Sequence, residues 1–151
     1  MLSVPARPPS FSGAPLHQGG LDADPLTQFA RWLAEASRAP GADPFAMTLA
    51  TVGTDGAPAA RTVSLKDVDR RGFLFTSHYD GPKGREIEAD PRVALVFYWP
   101  EQGRQVRVTG RAERLAEEES ARYFEARPRA SQLALLAAPQ SQPIGDRAAQ
   151  E

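Results

Sequence analysis

Apolar residues first recur with a helical period after Asp24-Pro25. Leu26, Phe29, Leu33 and Ala36 fall three and four apart, with Trp32 beside them, which predicts a helix over about 25–38. Asp24 suits an N-cap and Pro25 the first helical position. Ala39-Pro40-Gly41 ends the element. The pattern then changes. Ala46 to Val52 is a short apolar run, followed by Gly53-Thr54-Asp55-Gly56 and a second run from Ala59 to Lys66. An Asp-Gly pair between two such runs predicts a hairpin with a loop slightly longer than two residues. Asp67 to Gly72 turns again, and Phe73 to Ser77 reads as a third strand.

Pro82 to Ala89 predicts a short helix stopped at Asp90-Pro91. Val93 to Trp99 is apolar throughout, the mark of a strand buried on both faces or central in a barrel. Gln105 to Glu113 alternates. Val106, Val108, Gly110 and Ala112 share one face, with Gln105, Arg107, Thr109, Arg111 and Glu113 on the other. Glu117, Glu118 and Glu119 open a segment closed by Arg122 and Arg127, a charge order that suits a helix dipole. Pro128 opens a further helix, Arg129 to Ala138, before Pro139. Five short strands joined by turns, with helices at the ends, predict a mainly β domain with α additions, built as a small antiparallel barrel. No internal repeat is visible. Residues 1–23, rich in Pro, Ser and Gly, read as a disordered arm. The domain then spans 24–142, and 143–151 read as a flexible tail.

Composition narrows the function classes. A chain of 151 residues predicts one domain, long enough to bury roughly 70% of the surface its unfolded form exposes. It has no Cys, which removes disulfides, thiolate metal sites and cysteine nucleophiles. A formal net charge of -1 argues against a nucleic-acid binder. No run of 18 apolar residues would span a membrane, and Met1 to Gly20 lacks the apolar core of a signal peptide; a cytoplasmic protein is expected. His17 and His78 have no paired metal-ligand spacing, so no metal is expected. Glu117 to Glu119 read as a solvated helix start rather than an acid cluster.

The basic residues are placed more tellingly than they are counted. Arg61 and Lys66 bracket one strand, Lys83 follows Gly81-Pro82, and Arg127 and Arg129 flank Pro128. A barrel that gathers these would hold an anionic ligand through charge-assisted hydrogen bonds; otherwise each is an ordinary surface charge. Arg61 and Lys66 differ in parity, so a regular strand points them to opposite faces, and one ligand meets both only if the strand bends or one acts from its end.

Several stretches together resemble the pyridoxamine 5′-phosphate oxidase family. They are Ala46-Met47-Thr48-Leu49-Ala50-Thr51-Val52, then Asp55-Gly56, then Arg61-Thr62-Val63-Ser64-Leu65-Lys66. Asp90-Pro91-Arg92-Val93-Ala94-Leu95-Val96-Phe97 and Arg104-Gln105-Val106 continue the likeness. It is most specific at Tyr123-Phe124-Glu125-Ala126-Arg127-Pro128-Arg129-Ala130-Ser131-Gln132, which looks like the family's YFxxRPxxSQ signature, with Gln140-Ser141 like its QS pair. The resemblance covers about 25–142. It implies an FMN-binding split β-barrel, antiparallel and Greek-key-like, with helices at the N-terminus and after the last strand.

It also implies roles. Arg61, Thr62, Val63, Ser64, Leu65 and Lys66 would contact FMN, with Lys66 also facing the substrate phosphate. Thr76 and Ser77 match a hydroxyl-bearing pair near FMN, Lys83 a phosphate-binding lysine, and Gln140 and Ser141 further FMN contacts. Gln105 matches a glutamine that reaches the flavin from the neighbouring subunit, which implies a homodimer. Tyr123, Arg127 and Ser131 match the trio that grips the phosphate of pyridoxamine or pyridoxine 5′-phosphate. No side chain is assigned a strong-base role.

The activity implied is oxidation of that substrate to pyridoxal 5′-phosphate, in pyridoxal phosphate biosynthesis. Hydride passes from C4′ to flavin N5, and O2 is the final acceptor. Two departures bear on it. Pro82 stands where the family usually has an arginine, which should loosen FMN. The family also continues past its QS pair with a Trp and Arg at the flavin and an Arg-x-His at the substrate ring, whereas this chain stops at Glu151; it reads as a truncated or shortened member. The alternatives are therefore an FMN-binding module without efficient turnover, a related flavin oxidase of secondary metabolism, or an inactive fragment.

Overall fold

The computed structural model describes residues 15–41 and 43–137. A single 3-10 turn, Gln18–Gly20, precedes helix α1, Pro25–Ala36. Asp24 caps α1: its carboxylate accepts from the backbone N–H of Leu26 and of Thr27, both at 3.3 Å, and from the Thr27 hydroxyl at 2.7 Å. Strands β1 (Ala46–Val52), β2 (Pro58–Asp69) and β3 (Gly72–Phe75) follow. Then come α2 (Pro82–Ala89), β4 (Arg92–Trp99), β5 (Arg104–Arg111), α3 (Glu117–Glu125) and α4 (Arg129–Ala137). The element types match the sequence expectation. The bounds differ most at β2, which runs three residues past Lys66 before the turn to β3.

The strands form one antiparallel sheet in the order β3-β2-β1-β4-β5. β1, β2 and β3 are sequential neighbours, and β4 returns through a connection containing α2 to lie beside β1. That is a Greek key. The β1–β2 turn is set by Gly56, whose φ of 81° suits glycine. The Gly53 N–H donates to the Ala57 carbonyl at 2.8 Å, and the Asp55 carboxylate accepts from the Ala57 N–H at 3.0 Å.

The chain divides into two compact units. The first comprises the described part of Met1–Leu49 with Arg61–Thr76 and Ala94–Val108. It holds the buried apolar core found among the described residues: Phe29, Ala36, Met47, Leu49, Leu65, Leu95, Phe97 and Trp99. The Phe29 ring meets those of Phe73 and Phe97 edge-on, with centroids 5.0 and 4.9 Å away. Trp99 completes this cluster, and its indole N–H donates to the Pro44 carbonyl at 3.0 Å, so its polar atom is not buried unpaired. Gln28, also buried, accepts from the Asp22 N–H at 2.7 Å.

Of the two expectations for β4, the central position holds and burial on both faces does not. Leu95, Phe97 and Trp99 point into the core, while Tyr98 is 59% exposed. Past Arg92 at the strand start, the residues of its outer face, Ala94, Val96 and Tyr98, carry no charge, so within the apolar run the sequence could not distinguish that face from the inner one.

The second unit comprises Ala50–Ala60, Ser77–Val93 and the described part of Thr109–Glu151. Its buried side chains among the described residues are polar, Thr51 and Lys83. The Thr51 hydroxyl donates to the Glu86 carboxylate at 2.5 Å, tying β1 to α2.

Candidate functional site

In the first unit, β2 presents two faces. Val63 and Leu65 turn inward, and Leu65 is 4% exposed. Arg61 shares their parity; its guanidinium donates to the Leu49 carbonyl of β1 at 3.4 Å. Thr62 and Lys66 lie on the opposite, more exposed face with Ser64, and the Lys66 ammonium donates to the Ser64 hydroxyl at 3.3 Å. The structure therefore does not bring Arg61 and Lys66 to one face. It does supply a bend: the β2–β3 register shifts between Leu65 and Asp67, which places Lys66 in a β-bulge. Bulges re-aim side chains, and this one sits on the cation that closes the segment. Thr76, just after β3, is half-buried.

Gln105 lies on the exposed face of β5, alternating with the half-buried Arg104 and Val106. Its neighbour fixes the strand start. The Arg104 guanidinium pairs with the Glu35 carboxylate of α1 and lies over the Trp32 ring, 5.1 Å from its centroid. Only 12% of the Arg104 side chain is exposed against 39% of Glu35, so the guanidinium is the shielded partner of the pair.

In the second unit, α2 organises the remaining candidates. Gly81 is its N-cap and Pro82 its first residue, and Lys83 in the first turn is only 9% exposed. Ser77 lies in the segment that leads into the helix, its hydroxyl donating to the His78 carbonyl at 3.3 Å. Tyr79, in the same segment, is covered by the Arg114 guanidinium 4.4 Å from its ring centroid, and Arg114 pairs with Glu88 at 3.3 Å. Past α2, the Arg92 guanidinium forks onto Asp90, with Nε to Oδ1 at 2.9 Å and Nη2 to Oδ2 at 2.5 Å. Those hydrogen bonds hold the Asp90 carboxyl down at about 2.

Gly84 is a residue that sequence reasoning passed over. A Cβ there would lie 2.1 Å from the Tyr79 carbonyl oxygen and 2.8 Å from that of His78. Only glycine lets the first turns of α2 pack on the segment carrying Ser77, so Gly84 sets the placement of Lys83. The available signal was an isolated glycine inside a helical pattern. Gly84→Ala would gain about 1 kcal/mol of helix propensity, but the clash is with backbone and cannot be relieved by a rotamer. We expect a net loss of about 1–3 kcal/mol, read from urea denaturation; a more stable variant would show that α2 is not fixed by this contact.

Tyr123, Arg127 and Ser131 follow one another at intervals of four across α3, the corner after it and α4. Tyr123 and Arg127 are half-buried while their neighbours Ala121, Arg122, Phe124, Glu125, Ala126 and Pro128 are exposed; Ser131 is exposed. Gln140 and Ser141 lie outside the described residues. Among the described residues no group of three or more His, Asp or Glu could hold a metal ion, and no helix is long and apolar enough to cross a membrane.

Comparison with known proteins adds a family. Residues 33–151 match the family described as pyridoxamine 5′-phosphate oxidase. A pyridoxine/pyridoxamine 5′-phosphate oxidase of Rubrobacter xylanophilus is 56% identical over 137 residues, covering 91% of this chain and 63% of the relative. The chain thus spans somewhat less than two thirds of that relative's length. Among solved structures, PhzG from Burkholderia lata 383, in complex with tetrahydrophenazine-1-carboxylic acid, superposes with a TM-score of 0.84 at 31% identity, covering 92% of this chain and 70% of that one. A pyridoxamine 5′-phosphate oxidase-related, FMN-binding protein from Nostoc punctiforme shares the fold, with a TM-score of 0.68 at 18% identity over 85% of this chain and 72% of that one.

Proposed function

The chain belongs to the pyridoxamine 5′-phosphate oxidase family, and from that premise we propose that it is an FMN-dependent oxidase of pyridoxamine or pyridoxine 5′-phosphate, acting as a homodimer and yielding pyridoxal 5′-phosphate. The observation that carries this reading is the Tyr123, Arg127 and Ser131 series at the α3–α4 corner, with the first two half-buried among exposed neighbours. A phenol, a guanidinium and a hydroxyl at four-residue intervals about one corner make a donor set for a phosphate dianion.

The donor set of each unit also fits FMN. In the second unit, Lys83 is a buried cationic residue in the first turn of a helix, a setting that favours a phosphate. Ser77 supplies a hydroxyl in the segment before it. In the first unit, Thr62, Ser64, Lys66 and Gln105 present hydroxyls, an ammonium and an amide on exposed faces, suited to the polar edge of a flavin ring. Arg61, bonded to the β1 backbone, acts by holding β2 in place, and Leu65 contributes through its main chain.

When bound, FMN supplies the acceptor for the hydride of the substrate C4′–H bond and passes the electrons to O2. The protein's part is orientation. The Arg127 corner anchors the substrate phosphate, so that the reacting carbon is held in place rather than activated by a strong base.

A second reading is an oxidase of another small substrate, favoured by the TM-score of 0.84 to PhzG bound to a tetrahydrophenazine carboxylic acid. A carboxylate would also pair with the Arg127 guanidinium; the first reading is preferred because Tyr123 and Ser131 add the further donors that a phosphate dianion takes. The test is a visible absorption spectrum of the purified protein after FMN addition and desalting. It is followed by O2 uptake with pyridoxamine 5′-phosphate. A retained flavin band and phosphate-dependent uptake are expected. Retained flavin with no uptake would leave a binding module, and no retained flavin would end both oxidase readings.

A further inference from the structure

The corner that presents Arg127 is locked by a side chain to which no role has yet been given. α3 ends at Glu125 and α4 begins at Arg129, so three residues turn the chain. The Ala126 N–H donates to the Arg122 carbonyl at 3.0 Å and the Arg127 N–H to that of Phe124 at 3.1 Å. Pro128 has no N–H to give. Ser131 and Gln132 turn their N–H groups to the Pro128 carbonyl, at 2.9 and 3.1 Å. The carbonyls of Glu125 and Arg127 are thereby left without a backbone donor from the corner, as helix ends leave them.

Gln132 meets both. Its side-chain Nε2 donates to the Glu125 carbonyl at 3.1 Å and to the Arg127 carbonyl at 2.9 Å. Two amide hydrogens thus serve two carbonyls. The amide oxygen faces the other way and accepts from Arg129 Nη1 at 3.3 Å, which fixes the amide's orientation. Arg127 then has its N–H bonded back to α3 and its carbonyl bonded forward to α4. Its backbone is thereby held from both sides.

We infer that Gln132 is a positioning residue for phosphate recognition: by fixing the Arg127 backbone, it presets the guanidinium for a phosphorylated ligand. The inference rests on the reading of Arg127 as the phosphate grip. Pre-organisation lowers the ordering cost of binding, so its loss should weaken phosphate binding without removing any atom that touches the ligand. The FMN donors proposed on β2, α2 and β5 belong to other elements and should not respond.

The test uses the FMN-loaded full chain, titrated calorimetrically with pyridoxal 5′-phosphate and with pyridoxal. Gln132→Glu keeps the size but turns oxygens toward both carbonyls; Gln132→Met keeps the bulk and offers no donor. In both we expect affinity for pyridoxal 5′-phosphate to fall on the order of tenfold, with affinity for pyridoxal and for FMN unchanged. A lowered melting temperature with unchanged pyridoxal 5′-phosphate affinity would overturn the inference, leaving a helix cap. Equal losses for both ligands would overturn it too. A wild-type chain that binds the two ligands equally would sink the phosphate-grip reading itself, and this inference with it.

Discussion

Phe97→Ala is expected to destabilise the protein by about 3–5 kcal/mol. The ring is fully buried in the first unit, and its centroid lies 4.9 Å from that of Phe29, 5.7 Å from Trp99 and 5.9 Å from Phe73. Truncation removes the ring's transfer free energy and leaves a cavity walled by three other rings, none of which can collapse without losing its own contacts. A loss of that size is a large share of the roughly 5–15 kcal/mol by which a domain is stable. The next residue supplies a control. Tyr98 is on the opposite face and 59% exposed, so Tyr98→Ala should cost no more than about 0.5 kcal/mol in the isolated subunit. Urea denaturation of both variants checks the pair. A Phe97→Ala loss below about 1 kcal/mol would contradict the assigned core. A large Tyr98→Ala loss that grows with protein concentration would show the outer face of the sheet covered by a second copy.

Those two neighbours also show where sequence reasoning succeeds. Local signals were legible. Asp24-Pro25 starts α1, Gly53 to Gly56 turns β1 into β2, and Pro82 and Ala89 bound α2. Each is decided by residues within a few positions of one another. The face of β4 was not legible, because Ala94, Val96 and Tyr98 are as apolar as the residues they alternate with. Pairing geometry was equally hidden. Parity correctly separated Arg61 from Lys66, but the bulge at Lys66 arises from the register against β3, which no single strand encodes. The site divides in the same way. The signature picked out Tyr123, Arg127 and Ser131, which fall on α3, the corner after it and α4, yet it could not say that Gln132 spends both amide hydrogens on that corner. Nor could it say that Gly84 is held to glycine by carbonyls of the preceding segment. Those roles depend on distances between backbones, and they emerge only when the elements are assembled.

The largest functional effect is expected at Arg127. Arg127→Ala should lower affinity for pyridoxal 5′-phosphate by about two orders of magnitude. A guanidinium–phosphate contact is charge-assisted and often bidentate, and each such hydrogen bond contributes on the order of 1.5–3 kcal/mol; one to two of them convert to that factor. Arg127→Lys should recover only part, because an ammonium keeps the charge but not the planar fork. The position is favourable for a strong effect: the side chain is half-buried, and its backbone is held from both sides, by Phe124 and by Gln132. FMN affinity should stay within about twofold, since Lys83 and the β2 donors lie elsewhere in the chain. Flavin fluorescence titration gives the FMN affinity, and calorimetry of the loaded protein gives that for pyridoxal 5′-phosphate. If FMN and pyridoxal 5′-phosphate affinities fall together, Arg127 supports the fold of its corner rather than the ligand. If neither falls, the phosphate is held by other residues, and the separation of substrate grip from cofactor grip proposed for this chain is wrong.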